Sequence, residues 1–343
     1  MYKQKGKQDT SLQALRAISD SFYHLETNLK ISRSNYEVAL NYGRCYMKYS
    51  KAKIVDTFDD FMEFWSRVRL ESLERQIQLW HEAYMANYPE LLKKQVESYE
   101  ENGFNWREIA KKHVFPQLGE RAPLMKEARR TLLTVCTSIH KKACRKLNLD
   151  FDIVYVIYVG IGCGAGWATR YAGKPAILLG LENIAELRWH TKNRLSGLIA
   201  HEIGHLLHMA WRGEWERFEE LEEQDPFFML YSEGFAQRCE HIILGKESWH
   251  QAQSEDWISW CRQNKGWLAR EFLKRVENGE SLREFFGSWF SIQGKRFTGY
   301  FLGHELIVYL EKENSLKEIA LFSIEEVKEK AINYLKILSA MRT

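Results

Sequence analysis

Proline and paired cysteine are what this chain has least of: five prolines occur in 343 residues, and none of the six cysteines stands in a CxxC pair. So little proline leaves long stretches free to be helical. Cys45, Cys136, Cys144, Cys163, Cys239 and Cys261 are scattered, which excludes a cysteine zinc knuckle and argues against a disulfide framework. Reduced, mostly buried thiols are expected. No apolar run reaches bilayer-spanning length, so membrane insertion is not expected. Met1-Tyr2-Lys3-Gln4-Lys5-Gly6-Lys7 leads into polar sequence without the apolar core of a secretory leader, and a soluble cytoplasmic protein is the expectation. A surplus of one charge is missing too: 49 basic residues stand against 46 acidic ones, finely mixed, which gives no basis for a nucleic-acid partner. Nothing in the sequence signals an oligomeric state.

What is present is a 45% hydrophobic composition, enough to bury a sizeable core. From Thr10 to Asn148 the pattern is mostly helical, with breaks near 51–55, 102–104 and 115–123. The period then changes. Residues 151–159 are dense in β-branched and aromatic side chains and read as a buried strand, with 175–181 as a neighbour. The glycine-rich stretch 160–166 between them fails the GxGxxG spacing, and a turn needing positive φ or close backbone approach explains it better than nucleotide binding. From Lys192 to about Leu338 the chain reads as helical again. The expected division is a helical N-terminal region, 1–145, and a catalytic region, 146–343, compatible with one continuous domain.

The strongest chemical constraint is Ala200-His201-Glu202-Ile203-Gly204-His205-Leu206, an HExxH arrangement. On a helix the two histidines stand one turn apart and can reach one ion, and Glu202 can address a water beside it. Leu195, Ile199, Ile203 and Leu206 fall on the opposite face, which predicts a helix anchored in a core behind its histidines. Two ordinary packed histidines are the competing explanation. His208 shares the histidine face but lies about 10 Å of rise beyond His201, too far to join the same ion, and is expected either to support the ligands from behind or to be structural. It also occupies the glycine position of HExxHxxGxxH, while Trp211 takes the final histidine position, so a metzincin-type site is excluded. A third ligand must come from elsewhere. Glu233 in Ser232-Glu233-Gly234-Phe235-Ala236 is the best supplier, because small Gly234 and Ala236 permit close helix packing. Glu219, Glu220, Glu222 and Glu223 read as a solvated charge run, and Glu240 and His241 lie two turns further along.

Together, the HExxH segment and Ser232-Glu233-Gly234-Phe235-Ala236 resemble the gluzincin metallopeptidases, whose third ligand is a glutamate on a second helix, and are similar to predicted bacterial zinc-dependent proteases. The specific match covers residues 195 to 240, with looser similarity from about 150 to 335. It implies an α+β, mainly helical, zincin-like fold with a small sheet beside the HExxH helix. It further implies one Zn²⁺ held by His201, His205 and Glu233, Glu202 as general base, and a peptide or protein substrate. Such enzymes often place a Tyr or His oxyanion donor on a later helix, which points to Tyr300 and then His304. The interval from His205 to Glu233 is longer than in the best-known aminopeptidases of the group, and endopeptidase or oligopeptidase action is favoured. Hydrolysis of a non-peptide amide, aminopeptidase action and a non-catalytic helical binding module are the alternatives. Residues 175–181 could form an edge strand lining the cleft, although an ordinary buried strand is the simpler expectation. Trp257, Trp260 and Trp267, near helical spacing, read as core.

Overall fold

The computed structural model describes residues 50–340, so the expectations for the pattern from Thr10 and for Cys45 lie outside the described residues. Among the described residues strand β1, Ala52–Asp56, comes first. Helices α1 (Phe58–Val68), α2 (Leu73–Leu79), α3 (Pro89–Glu100), α4 (Trp106–Ile109) and the long α5 (Leu118–Leu147) follow. Strands β2 (Ile153–Tyr158), β3 (Trp167–Tyr171) and β4 (Lys174–Gly180) complete a four-stranded sheet. The remainder is helical: α6 (Leu181–Glu186), α7 (Lys192–Arg212), α8 (Glu216–Gln224), α9 (Pro226–Leu244), α10 (Trp257–Gln263), α11 (Lys265–Glu277), α12 (Arg283–Phe286), α13 (Thr298–Leu310), α14 (Leu316–Ala320) and α15 (Ile324–Ala340). The fold is therefore α+β and mainly helical, with its small sheet beside the HExxH helix α7.

The strand order is β1-β2-β4-β3, with β3 alone antiparallel to its neighbour. All six residues of β2 are buried, as its unbroken apolar run requires of a strand covered on both faces. Strand β4 lies between β2 and β3, so residues 175–181 do not form the edge strand that could line a cleft; β3 does. The break at 51–55 in the helical pattern is strand β1, whose Ala52 pairs in register with Ile153, and the sheet thus crosses the expected boundary at residue 145. In β3 and β4 the hairpin turn uses Ala172 at φ 50° and Gly173 at φ 69°, the double positive φ that matches strand twist.

Helix α7 is buried on every side rather than on one face. Leu195, Ile199, Ile203 and Leu206 are fully buried as expected, but His201, Glu202, His205 and His208 are buried as well. Helices α5 and α9 and strands β3 and β4 pack around it. The apolar four each contribute about 1.5–3 kcal/mol of burial. Helix α9 starts on Asp225, whose side chain accepts from the N–H groups of Phe227 and Phe228 at 2.8 and 3.0 Å, with Pro226 in the first turn. Gly245, at φ 70°, ends it. Of the tryptophan stripe, Trp257 is fully buried in the core, and Trp260 and Trp267 are half-buried against it. The described cysteines are all free thiols, buried or half-buried. No helix among the described residues is long and apolar enough to cross a membrane.

Two crossings place α9. A Cβ on Gly204 of α7 would stand 2.7 Å from the Ala236 Cα, and one on Gly234 would overlap the Gly303 carbonyl of α13. Alanine for glycine inside a helix ordinarily stabilises by about 0.5–1 kcal/mol. Here the overlap reverses the sign: Gly234→Ala is expected to destabilise by about 1–3 kcal/mol in urea unfolding. A variant as stable as the parent would show that the helices do not touch at this point.

Candidate metal centre

His201 and His205 stand one turn apart on α7, and the crossing at Gly204 brings Glu233 of α9 opposite both. Their reactive atoms form a triangle: His201 Nε2 is 3.0 Å from Glu233 Oε2, His205 Nε2 is 3.4 Å from the same oxygen, and the two Nε2 atoms are 3.2 Å apart. Around a tetrahedral zinc ion with bonds near 2.0–2.1 Å, ligand atoms lie about 3.3 Å from one another. The triangle therefore has the size of a metal cage, and two imidazoles with one carboxylate are a donor set that suits zinc. Buried His and Glu side chains are thus close enough to hold a metal ion.

Electrostatics within the cluster are sharply divided. Burial pushes His201 down to about 4. Burial also opposes a charge on His205, but its hydrogen bond to Glu233 and the Glu233, Glu222 and Glu202 carboxylates outweigh that and raise it to about 10. Glu233, in spite of burial, is held well below the usual carboxylate range by the same two histidines. Without metal, the cluster thus stores a proton on His205 where a cation would otherwise sit. Glu202, 7% exposed, is raised to about 7 by burial, partly offset by His205 and by the Ala168 backbone. A Cβ on Gly166 would lie 2.6 Å from Glu202 Oε1, so the glycine-rich loop needs close approach here as well as positive φ at Gly162 and Gly164.

The cluster lies where two lobes of a cleft meet. The inner lobe, of ≈ 270 Å³, is walled by Trp189, Leu187, Leu198 and Phe297 and also by His250. The outer lobe, of ≈ 970 Å³, runs past Trp167 of β3 toward Lys94, Glu101 and Arg283. Gly166, Trp167, Glu222, Glu233, Phe286 and Tyr300 line both. Tyr300 therefore reaches the site, its ring centroid 5.5 Å from that of His201. Burial and the nearby Glu233 and Glu202 carboxylates hold its hydroxyl protonated far above the ordinary range.

His304 is not brought to the cluster. One turn beyond Tyr300, it packs at 4.3 Å from the His241 ring and 5.1 Å from Trp249, in a separate depression. His208 is fully buried among Phe218, Tyr231 and Phe235, in keeping with a structural role. The charge run is not wholly solvated: Glu222 turns inward, its Oε1 3.5 Å from His205 Nδ1, and it accepts a hydrogen bond from Ser232. Nothing in the sequence of the run marks Glu222 as a residue that turns inward.

Sequence reasoning set Glu240 aside as lying two turns beyond Glu233, and gave His250 no role. A ring nitrogen of His201, a Glu240 oxygen and a His250 nitrogen lie within 4.8 Å of one another, all three residues buried. The spacing of Glu240, seven residues after Glu233 on one helix face, was the available signal. No family model, curated protein or solved structure matches the chain.

Zinc at a hundredfold its Kd is expected to stabilise the metal-stripped protein by about 2.7 kcal/mol. This should read as a rise of about 5 °C in melting temperature. His205→Ala should lose the response; an equal rise in that variant would move the metal elsewhere.

Proposed function

We propose that this protein is a zinc-dependent peptidase of the gluzincin type, with His201, His205 and Glu233 as ligands and Glu202 as general base. The observation that carries this is the triangle of His201, His205 and Glu233 atoms, sized for a tetrahedral ion, with Glu202 lining the same cleft. Zinc bound there supplies Lewis-acid polarisation of a carbonyl and a water that loses its proton near neutrality. Glu202 accepts that proton and returns it to the leaving amine, a task suited to a carboxylate poised near neutral pH. Tyr300, kept protonated by burial and its acidic neighbours, donates to the oxygen that becomes negative as the carbonyl is attacked.

The surroundings favour a peptide over other amides. Strand β3 is an edge whose first residue, Trp167, lines both lobes, so an extended chain can pair with it while the reacting carbonyl sits at the cluster. The larger lobe leaves room for chain beyond the scissile bond, which favours endopeptidase or oligopeptidase action. The smaller lobe, where Leu187, Trp189, Leu198 and Phe297 stand beside Asn183 and His250, has room for one side chain.

Metal analysis and cleavage of a peptide library test this directly. One zinc per chain is expected, with Glu202→Gln retaining the ion and losing roughly 10²–10⁴-fold in turnover. A metal-free native protein, or a fully active Glu202→Gln enzyme, would reject the assignment. Tyr300→Phe should lower kcat by about 10²-fold, and an unchanged kcat would remove Tyr300 from the mechanism.

A further inference from the structure

The glycine-rich stretch 160–166 and a buried carboxylate beside it take no part in the chemistry assigned so far. Glu182, on α6, is fully buried, and both its oxygens accept from the loop: the Gly160 N–H donates to Oε2 at 2.8 Å and the Gly162 N–H to Oε1 at 3.2 Å. Burial pushes its carboxyl up to about 7, against the Gly160 and Gly162 N–H groups and the Arg121 charge, which favour the ionised form. Arg121 itself is paired with Glu186 at 3.2 Å. Two backbone donors aimed at one side chain call for two acceptors and no donor, which a carboxylate supplies and a carboxamide does not.

Missing side chains carry this grip to the cleft. A Cβ on Gly160 would stand 2.8 Å from Glu182 Oε1, and one on Gly180, where β4 runs into α6, would overlap the Gly164 carbonyl oxygen. Gly162 and Gly164 adopt φ 94° and 136°, a path that other residues would strain. The far end of the loop bears on Glu202. Gly166 packs against the Glu202 carboxylate, and two residues on the Ala168 backbone N–H favours the ionised form of that group. Gly164, Ala165 and Gly166 also wall the inner lobe beside it. The loop is thus held by one buried carboxylate at its start and abuts another at its end. A role for Glu182 confined to the loop's own stability is the competing explanation, and it leaves Glu202 unmoved when the grip is lost.

We infer that Glu182 is a positioning residue for Glu202: by holding the N–H groups of Gly160 and Gly162 it fixes the glycine-rich loop, and the loop fixes the carboxylate at the metal centre. This inference rests on the reading of Glu202 as the general base of a peptidase. A misplacement of about 1 Å at such a group costs up to about 10²-fold in rate.

Amide hydrogen exchange by NMR in the metal-stripped full-length protein reads the loop without ion or substrate. Glu182→Gln should speed exchange roughly tenfold at Gly160 and Gly162 and also at Ala168, with α7 and α9 unchanged. Acceleration confined to Gly160 and Gly162 would overturn the inference. In the zinc-loaded protein, well below its melting temperature, the same substitution should lower kcat for peptide cleavage roughly 10–100-fold, with KM and zinc affinity within about twofold of the parent. Added to Glu202→Gln, it should lower the residual rate by no more than about twofold, because both changes act on one step. Parental kcat in a folded Glu182→Gln protein, or losses that multiply in the double variant, would also count against it. Should Glu182→Gln fail to fold, Glu182→Asp decides: drawing the carboxylate back by a methylene should speed exchange at Ala168 roughly threefold, and parental exchange there overturns the inference. A parent chain that cleaves no peptide would defeat the peptidase reading instead, and exchange at Ala168 then decides by itself whether Glu182 holds Glu202 in place.

Discussion

Helix α9 meets α7 at Gly204 and α13 at Gly303, and neither crossing leaves room for a side chain. Those two contacts fix the rotation and height of α9, and with them the position of Glu233 opposite His201 and His205. They also make the centre a costly place. His201, Glu202, His205, Glu240 and His250 are all buried, and charges removed from water destabilise a fold unless their partners are close and well oriented. A pair of helices held backbone to backbone supplies that orientation, since neither can rotate without collision. The apolar residues of α7 and the aromatic layer around His208 then offset the cost of the polar centre.

Burial of α7 on all sides shapes the chemistry as well as the packing. A helix exposed along its histidine face would keep its ionisable groups near their ordinary values. Here low local polarity drives His201 and Glu202 away from them in opposite directions, while the partnership of Glu233 and His205 keeps the carboxylate ionised and the imidazole protonated. Closely spaced groups of the same types thus take up different protonation states. The division arises from depth and neighbours, not from residue identity.

Local signals carried much of this into the sequence. HExxH spacing, the small residues after Glu233 and the apolar run of β2 each constrain only a few consecutive positions, and each is present in the fold as expected. What the sequence concealed depends on distant partners. β1 is too short to announce a strand, and becomes one by pairing with residues far along the chain. β3 is revealed as the edge only once β4 is seated beside β2. Glu222 looks the same as its acidic neighbours until α8 is folded against the cleft, and His304 shares the Tyr300 face by period but meets a different cavity. The oxyanion pair expected from one helix face is thereby reduced to Tyr300.

The pairing of Ala52 with Ile153 has a consequence for how such a molecule comes into being. About a hundred residues must be synthesised and gathered before that edge can close, and closing so long a loop is entropically slow. Until then the β1-facing side of β2 is an open apolar strand edge, a template for pairing with other chains. Once paired, the short strand β1 covers that side of β2, and among the described residues it becomes the sheet's edge in turn.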